Sequence, residues 1–399
     1  VSSEVIVRQR TVLAFLVPAL LVAAACGDDG DTTSSTAAPA STAPPAATEP
    51  AGTEPGSADL VVVDGAPFPA ARCEANRAAG TITFLTGFDY AAASSIVEVI
   101  NADALGYYEE LCLDVEIQPS FSTANYALVA GGQAQFASGG SFSEVVAFAG
   151  ANDADLVAVT VAGRSPIDTL ILKPGVATEL ADLAGTTIGV KGKLPSSVEI
   201  MLARAGLVEG EDFETVLLDG FDPVAHLAIE SIVGVPGWRS NEPGRLEREG
   251  VPFETFTPAD LDVPGSFGAI FTSGAFLEAH PTAAEDFVRA TLRGLLDAIA
   301  DPDAAAERAV TLVEANGNPN FLSPDGEIFR WSTEAGIVSE GAADGTVPGT
   351  PDPAVLAEEV AAYAEVGLFG DGPAPSIDGH LSDVATRVTA DGTLVWPAG

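Results

Sequence analysis

A two-lobed α/β fold is what this sequence predicts, and three observations carry the prediction. Strand-like and helix-like segments alternate from Thr81 onward, and the alternation starts afresh on a second module near Thr169. A length of 399 residues gives each module enough chain for its own core. The apolar fraction of 47% fits globular lobes and is too diffuse for a multi-pass membrane protein.

The first residues read as an export signal. Arg8 and Arg10 precede an apolar run from Val12 to Ala25, followed at once by Cys26 and the polar Gly27-Asp28-Asp29-Gly30. The run is about 14 residues, short of the ~20 that span a bilayer as a helix. Basic residues, a short apolar stretch and small residues before the break describe a signal peptide. Ala23-Ala24-Ala25-Cys26 resembles the lipobox of bacterial lipoproteins, so residues 1–26 are expected to be a lipoprotein signal peptide with Cys26 lipidated. Ordinary cleavage, giving a freely secreted protein, is the alternative. Residues 27–58 are Thr, Ser, Ala, Pro, Gly and Glu with almost no large apolar side chain. They bury too little surface to offset ordering entropy and are expected to form a disordered linker.

From there the periodicity predicts elements in order. Thr81–Thr86 is a strand, and Ser94–Leu105 carries Ile96, Val97, Ile100 and Leu105 at helical spacing. Leu113–Gln118 is a strand, Ala124–Ala130 a helix, Gln135–Ser138 a short strand, Phe142–Ala149 a helix and Asp155–Ala162 a strand. The second module offers strands at Thr169–Leu172 and Thr186–Val190, a helix at Ser197–Ala205, a strand at Glu214–Leu218 and a helix from Pro223 to Ile232. Pro281–Ala300 is a long amphipathic helix, with Thr282 and Glu285 at capping-box spacing. Helices follow at 327–339 and 353–366, then a loop-like tail. The division expected is lobe 1 over 59–172, lobe 2 over 173–267, the return to lobe 1 with C-terminal helices over 268–372, and a tail over 373–399.

Charge and cysteines narrow the function. Seventeen basic against 57 acidic residues give a formal charge of −40, and the lysines are Lys173, Lys191 and Lys193. Such a field disfavours nucleic acid and anionic lipid surfaces, because holding a phosphate backbone takes clustered Lys and Arg. A solubility role is the plain reading of the acidity. Besides Cys26 the chain holds Cys73 and Cys112. In an exported protein these can bridge, worth ~4 kcal/mol on the chain-entropy model; two buried free thiols are the alternative.

Three phrases then become recognisable. Gly106-Tyr107-Tyr108-Glu109-Glu110-Leu111-Cys112-Leu113-Asp114-Val115-Glu116, Leu128-Val129-Ala130-Gly131-Gly132-Gln133-Ala134-Gln135-Phe136 and Leu180-Ala181-Asp182-Leu183-Ala184-Gly185-Thr186-Thr187-Ile188-Gly189-Val190 stand in this order. They resemble segments of the binding-protein family related to the thiamine-pyrimidine precursor synthases, which also includes nitrate, sulfonate and taurine binders. With their surroundings they cover roughly residues 81–300. The resemblance implies a type II periplasmic-binding-protein fold, two α/β lobes joined by a two-strand hinge with ligand in the cleft between them. The crossings are expected near Leu170–Lys173 and Phe267–Thr272.

Candidate ligand contacts follow from strand ends and from the resemblance. Asp89 and Tyr90 follow the first strand, where pyrimidine-binding relatives carry an aromatic; Tyr90 would stack on a planar ring and Asp89 accept an N–H, or the pair simply turns the chain into the next helix. Ser138, Gly139, Gly140 and Ser141 follow the third strand, where glycines admit a ligand to the backbone and Ser141 can cap a helix. Lys193, Ser196 and Ser197 lie in the Lys191–Ser197 loop, which in sulfonate-binding relatives holds an anion; Ser196 and Glu199 also have capping-box spacing. Trp238, Asn241 and Glu242 match a region where pyrimidine-binding relatives place an aromatic and a carboxylate, with a packed surface loop as the plain alternative. Arg164 ends the last strand of lobe 1 and suits a hinge ion pair as well as a ligand contact.

Catalysis is not expected. The synthases of the resemblance use a cysteine-rich iron-associated motif that is missing here, and His226, His280 and His380 are far apart in sequence. No GxSxG, HExxH or phosphate-binding GKS/T motif occurs. The expectation is a monomeric extracytoplasmic lipoprotein without cofactor or metal, anchored to the outer face of the cell membrane. It would deliver a small planar heterocycle (a thiamine pyrimidine precursor or riboflavin) to an ABC permease and its ATPase. A sulfonate, taurine or nitrate is the alternative ligand.

Overall fold

The computed structural model describes residues 57–398, apart from 221, 319–322 and 343. The expected signal peptide, Cys26 and nearly all of the linker lie outside the described residues.

After a short 3-10 turn the chain forms α1 (Ala70–Ala78), β1 (Thr81–Leu85), α2 (Val97–Ala104), α3 (Tyr107–Glu110), β2 (Asp114–Gln118), α4 (Ser122–Ala130), β3 (Phe136–Ser138), α5 (Phe142–Asn152) and β4 (Leu156–Gly163). It then builds β5 (Asp168–Leu172), β6 (Thr187–Val190), α6 (Ser196–Arg204), β7 (Glu214–Leu217), α7 (Pro223–Leu227), β8 (Gly234–Trp238), α8 (Glu242–Arg248) and β9 (Glu254–Phe256). Last come β10 (Phe267–Ser273), α9 (Gly274–Ala279), α10 (Pro281–Ala300), α11 (Pro302–Asn316), α12 (Pro324–Gly341), α13 (Pro353–Glu365), α14 (Val384–Arg387), β11 (Thr389–Ala390) and β12 (Thr393–Leu394).

Two five-stranded sheets result, ordered β2-β1-β3-β10-β4 and β7-β6-β8-β5-β9. In lobe 1 the strands β1, β2 and β3 pair in parallel, with Thr81 opposite Asp114, while β10 runs antiparallel between β3 and β4. In lobe 2 the parallel strands are β6, β7 and β8, and β5 is antiparallel to β8 and β9. Every residue of β4 is buried, as an apolar run covered on both faces requires. The lobe 1 core gathers on α10, whose Phe287 stacks on Phe136 with ring centroids 4.0 Å apart. Among the described residues no helix is long and apolar enough to cross a membrane.

The passages between lobes differ from the expected ones. Because Asp168 pairs with Trp238, β5 belongs wholly to lobe 2, and the first crossing is 164–167 rather than Leu170–Lys173. Phe267–Thr272 lies in β10, a strand of lobe 1, so the second crossing is 257–266. Apolar runs announce a strand but not its sheet, since the pairing partners are distant in sequence.

Other expectations also shift. The tail at 373–399 is not all loop: it forms α14 and a hairpin, and Val384, Ala385 and Val388 enter the lobe 1 core. Thr282 does not cap α10, which begins after His280 with Pro281 in its first turn; Glu285 instead pairs with Arg72 at 2.8 Å. Ser196 is likewise no cap, because α6 starts at Ser196 itself after Pro195. Cys73 and Cys112 form a disulfide, Cα–Cα 5.2 Å, that ties α1 to the turn before β2.

Candidate ligand cleft

Strand ends from both sheets converge on one cleft. The segments leaving β1 (Gly87, Phe88), β3 (Ser138–Ser141) and β6 (Lys191–Ser197) meet Trp238 at the end of β8, the last crossing residues Ile167 and Ser266 with the strand starts Asp168, Phe267 and Gly268, Glu334 of α12 and Tyr363 of α13. Ligands of open α/β sheets occupy this position, beyond the carboxyl ends of the strands. An inner cavity of about 170 Å³ opens into an outer one of about 310 Å³. Both are bordered by Gly87, Phe88, Ala93, Ser122, Pro195 and Trp238.

The inner cavity is walled by hydroxyls and carboxylates. Ser94, Ser95, Ser122, Ser138, Ser141, Ser196, Ser197 and Ser266 line it together with Glu144, Asp168, Glu334 and Tyr363. Glycine makes the fit possible at two points. A Cβ on Gly140 would stand 2.2 Å from Glu144 Oε2, and one on Gly268, at φ 66°, would stand 2.6 Å from Ser94 Cβ.

The carboxylates are held by neutral donors. Tyr126 donates its hydroxyl to Glu144 Oε2 at 3.1 Å, and Ser197 donates to Asp168 Oδ2 at 2.6 Å. Glu334 accepts from the Ser94 backbone N–H at 2.6 Å and from the Ser240 hydroxyl at 2.7 Å. Burial pushes the Asp168 carboxyl up to about 6, against the Ser197 bond that lowers it. Burial likewise raises Glu334 above the usual carboxylate range. Glu144 keeps solvent contact inside the cleft, yet enclosure by the walls, which withdraws it from bulk water, raises it too.

The outer cavity carries different chemistry. Lys191, Lys193, Asn241, Glu242 and Arg330 border it with Trp238, which is 43% exposed. Glu242 is buried and takes both the Lys191 ammonium at 2.9 Å and the Trp238 backbone N–H at 2.8 Å. Asn241 accepts from Arg330 at 2.8 Å.

Of the residues expected from sequence, Ser138, Gly139, Gly140, Ser141, Lys193, Ser196, Ser197, Trp238, Asn241 and Glu242 border the cleft. Asp89, Tyr90 and Arg164 do not. Tyr90 is buried in a core with Ile96, Ile100 and Trp331. Asp89, at φ 48°, accepts the backbone N–H groups of Tyr90 and Asn318 at 3.0 and 2.6 Å. It turns the chain, and Phe88 is the aromatic that reaches the cavity. Arg164 serves the hinge, paired with Asp344 at 3.0 Å and Asp352 at 3.7 Å.

Sequence reading missed Phe88, Glu144, Asp168 and Glu334. Phe88 had a signal, being an aromatic directly after a strand, but the carboxylates sit on elements that only the tertiary fold brings together. The three histidines lie elsewhere: His226 bonds the Asp219 carbonyl, His280 packs on Phe276 and His380 bonds the Leu156 carbonyl. Among the described residues no group of three or more His, Cys, Asp or Glu is placed to hold a metal ion.

Comparisons with known proteins agree with this geometry. The model of the family described as NMT1/THI5 like matches residues 93–305. Riboflavin-binding protein RibY of Chloroflexus aurantiacus is 31% identical over 157 residues, 39% of this chain and 44% of that protein. The match thus spans less than half the length of that curated relative. Among solved structures, the ligand-binding component of an ABC-type import system from Staphylococcus aureus, with zinc bound, superposes with TM-score 0.55 at 14% identity, covering 77% of this chain and 99% of its own. The periplasmic aliphatic sulphonate binding protein SsuA of Escherichia coli gives TM-score 0.52 at 14% identity, covering 79% and 94%. At such identities the likeness speaks to fold: the two lobes have the type II periplasmic-binding-protein architecture.

Proposed function

The chain belongs to the NMT1/THI5-like family, and on that premise we propose that it is the extracytoplasmic solute-binding component of an ABC importer. Its ligand is a small planar heterocycle, a thiamine pyrimidine precursor or a flavin such as riboflavin. In this reading Cys26 carries the lipid anchor, and the monomer hands its ligand to a membrane permease driven by a separate ATPase. The likeness to a riboflavin-binding protein supports the ligand class. So does the cleft.

The observation that carries the proposal is the mouth of the inner cavity. Phe88 and Trp238 border it from opposite lobes, and beyond them lies a ring of serine hydroxyls and carboxylates. Flat aromatic walls suit a planar ring, and the hydroxyls and carboxylates fix its polar edge. Contact with both lobes at once is what lets a ligand favour the closed state. No histidine or cysteine borders either cavity, which favours capture over chemistry.

A second reading takes a sulfonate, taurine or nitrate, since Lys191 and Lys193 border the outer cavity. Against it, Lys191 already pairs with Glu242, and an anion in the inner cavity would face three carboxylates. Titration calorimetry with pyrimidines, flavins and aliphatic sulfonates separates the two. A heterocycle is expected to bind with Kd near ~1 µM, about −8 kcal/mol. Trp238→Ala should weaken that binding about five- to tenfold, the loss of one stacking contact. Binding by sulfonates alone would overturn the heterocycle reading.

A further inference from the structure

We propose that the inner cavity is a cation site: the ring it takes bears a positive charge, on a ring or amino nitrogen, seated between Glu144 of lobe 1 and Asp168 of lobe 2. This rests on the binding-protein reading above and narrows its ligand from the heterocycles named there to cationic ones, which sets neutral flavins aside.

The lining residues state the charge balance. Glu144 on α5, Asp168 on β5 and Glu334 on α12 face the inner cavity, and no lysine, arginine or histidine is among its lining residues. Further acidic groups stand behind them. Glu359 on α13 raises Tyr363, and Glu242 on α8 raises Asp168. The basic groups nearby are Lys193, whose charge reaches Glu144, Arg330, which sits at the outer cavity and acts on Glu334, and Lys191, which borders the outer cavity paired with Glu242.

Hydrogen bonding leaves the site short of donors. Glu144 takes the Tyr126 hydroxyl and a backbone N–H of Ser141, and Asp168 the Ser197 hydroxyl and its own backbone N–H, fewer than the about four acceptor positions of an ionised carboxylate. Ser94, only 6% exposed, lines the same cavity; its hydroxyl makes no hydrogen bond of good geometry, though it lies near enough to Glu334 to lower that carboxyl. An unpaired buried polar atom is costly unless a ligand completes it.

Two carboxylates facing one enclosed space repel each other unless a proton or a cation joins them. A cationic ring does so without removing either charge, and by touching both lobes it draws them together. A neutral ring leaves the carboxylates uncompensated. The pH sense follows: Asp168, held up at about 6, is ionised at neutral pH and protonates as pH falls, so a permanent cation loses its partner on acidification.

The test uses matched rings with and without a permanent charge. These are 1-methylnicotinamide against nicotinamide, and 4-amino-1-methylpyrimidinium against 4-aminopyrimidine, titrated by calorimetry into the wild-type protein, Glu144→Gln and Asp168→Asn. The charged member should bind about tenfold or more tighter at neutral pH, equivalent to one unit of differential protonation energy. That advantage should shrink to about twofold in either variant and, for the nicotinamide pair, whose neutral member stays unprotonated there, below pH 5, with melting temperatures showing both variants folded. A charged member no tighter than its neutral twin overturns the proposal. If a neutral pyrimidine or flavin binds tightly and both variants leave it unchanged, the charge assignment falls while the heterocycle reading stands. If no ring of either kind binds, both fall.

Discussion

Glu98 is a carboxylic acid buried without a cation. It is 1% exposed on α2; one oxygen accepts the Ser95 backbone N–H at 2.7 Å and the other has no partner. Burial pushes its carboxyl up to about 8, with the Glu334 charge adding to the rise. A folded-state value above the unfolded one means that the native protein binds the extra proton. The stability this supplies is complete below the unfolded value and is lost as pH climbs through about 8. Asp168 acts in the same sense over a window ending near 6. The melting temperature should therefore fall between pH 5 and pH 9, and Glu98→Gln, which keeps the acceptor for Ser95, should flatten the decline by an amount worth roughly a few kcal/mol. Parallel slopes for the two proteins would show that Glu98 does not titrate as described. Single residues also mark how far the site could be read in advance. Ser138–Ser141 and Ser197 were legible because each closes or follows a strand, and strand ends converge on the cleft; Trp238 was legible only through the family resemblance. Tyr90 was not, because the left-handed turn at Asp89 decides which neighbour faces the ligand. Backbone sign at one residue leaves no trace in a hydrophobic pattern.

At the scale of elements, α12 reaches both lobes. On lobe 1, Glu327 accepts the Ala92 backbone N–H at 2.6 Å and Glu334 that of Ser94 at 2.6 Å. On lobe 2, Glu334 accepts from Ser240 at 2.7 Å and Arg330 donates to Asn241 at 2.8 Å. The same helix thus sets the separation of two bodies joined otherwise by their crossings and by α13. Removing the lobe 2 partner with Ser240→Ala leaves one acceptor of Glu334 unmet, at a cost of about 1–3 kcal/mol. The ligand-free variant should show a larger radius of gyration by small-angle scattering than the wild type, and saturating ligand should restore compactness; equal radii would deny α12 this role. The helix itself was legible at 327–339, but its reach was not, since a helical pattern does not tell what meets each face. Strand β8 was hidden for a different reason. Its Gly-Val-Pro-Gly-Trp sequence carries two strand-weakening glycines and a proline that cannot donate, and it pairs with β5 because the lobe 2 sheet surrounds it.

On the scale of the whole molecule, the βα alternation and its second start were enough to predict two lobes, while the crossings moved where strands chose a sheet and the tail joined the lobe 1 core. The sheet order has a consequence for assembly of the chain. All five strands of lobe 2 come from one continuous segment, 168–256, whereas β10 enters lobe 1 between β3 and β4 only after that segment has been made. Until then β3 and β4 each lack a neighbour, and bringing β10 to them closes a loop through the whole of the other lobe. Pulse-labelling exchange during refolding should find amides of β6 and β8 protected before those of β3 and β4; the reverse order would contradict this sequence of events. A newly made chain consequently finishes last the half that emerges first, and the edges left waiting there are where a folding helper or a stray strand would find it.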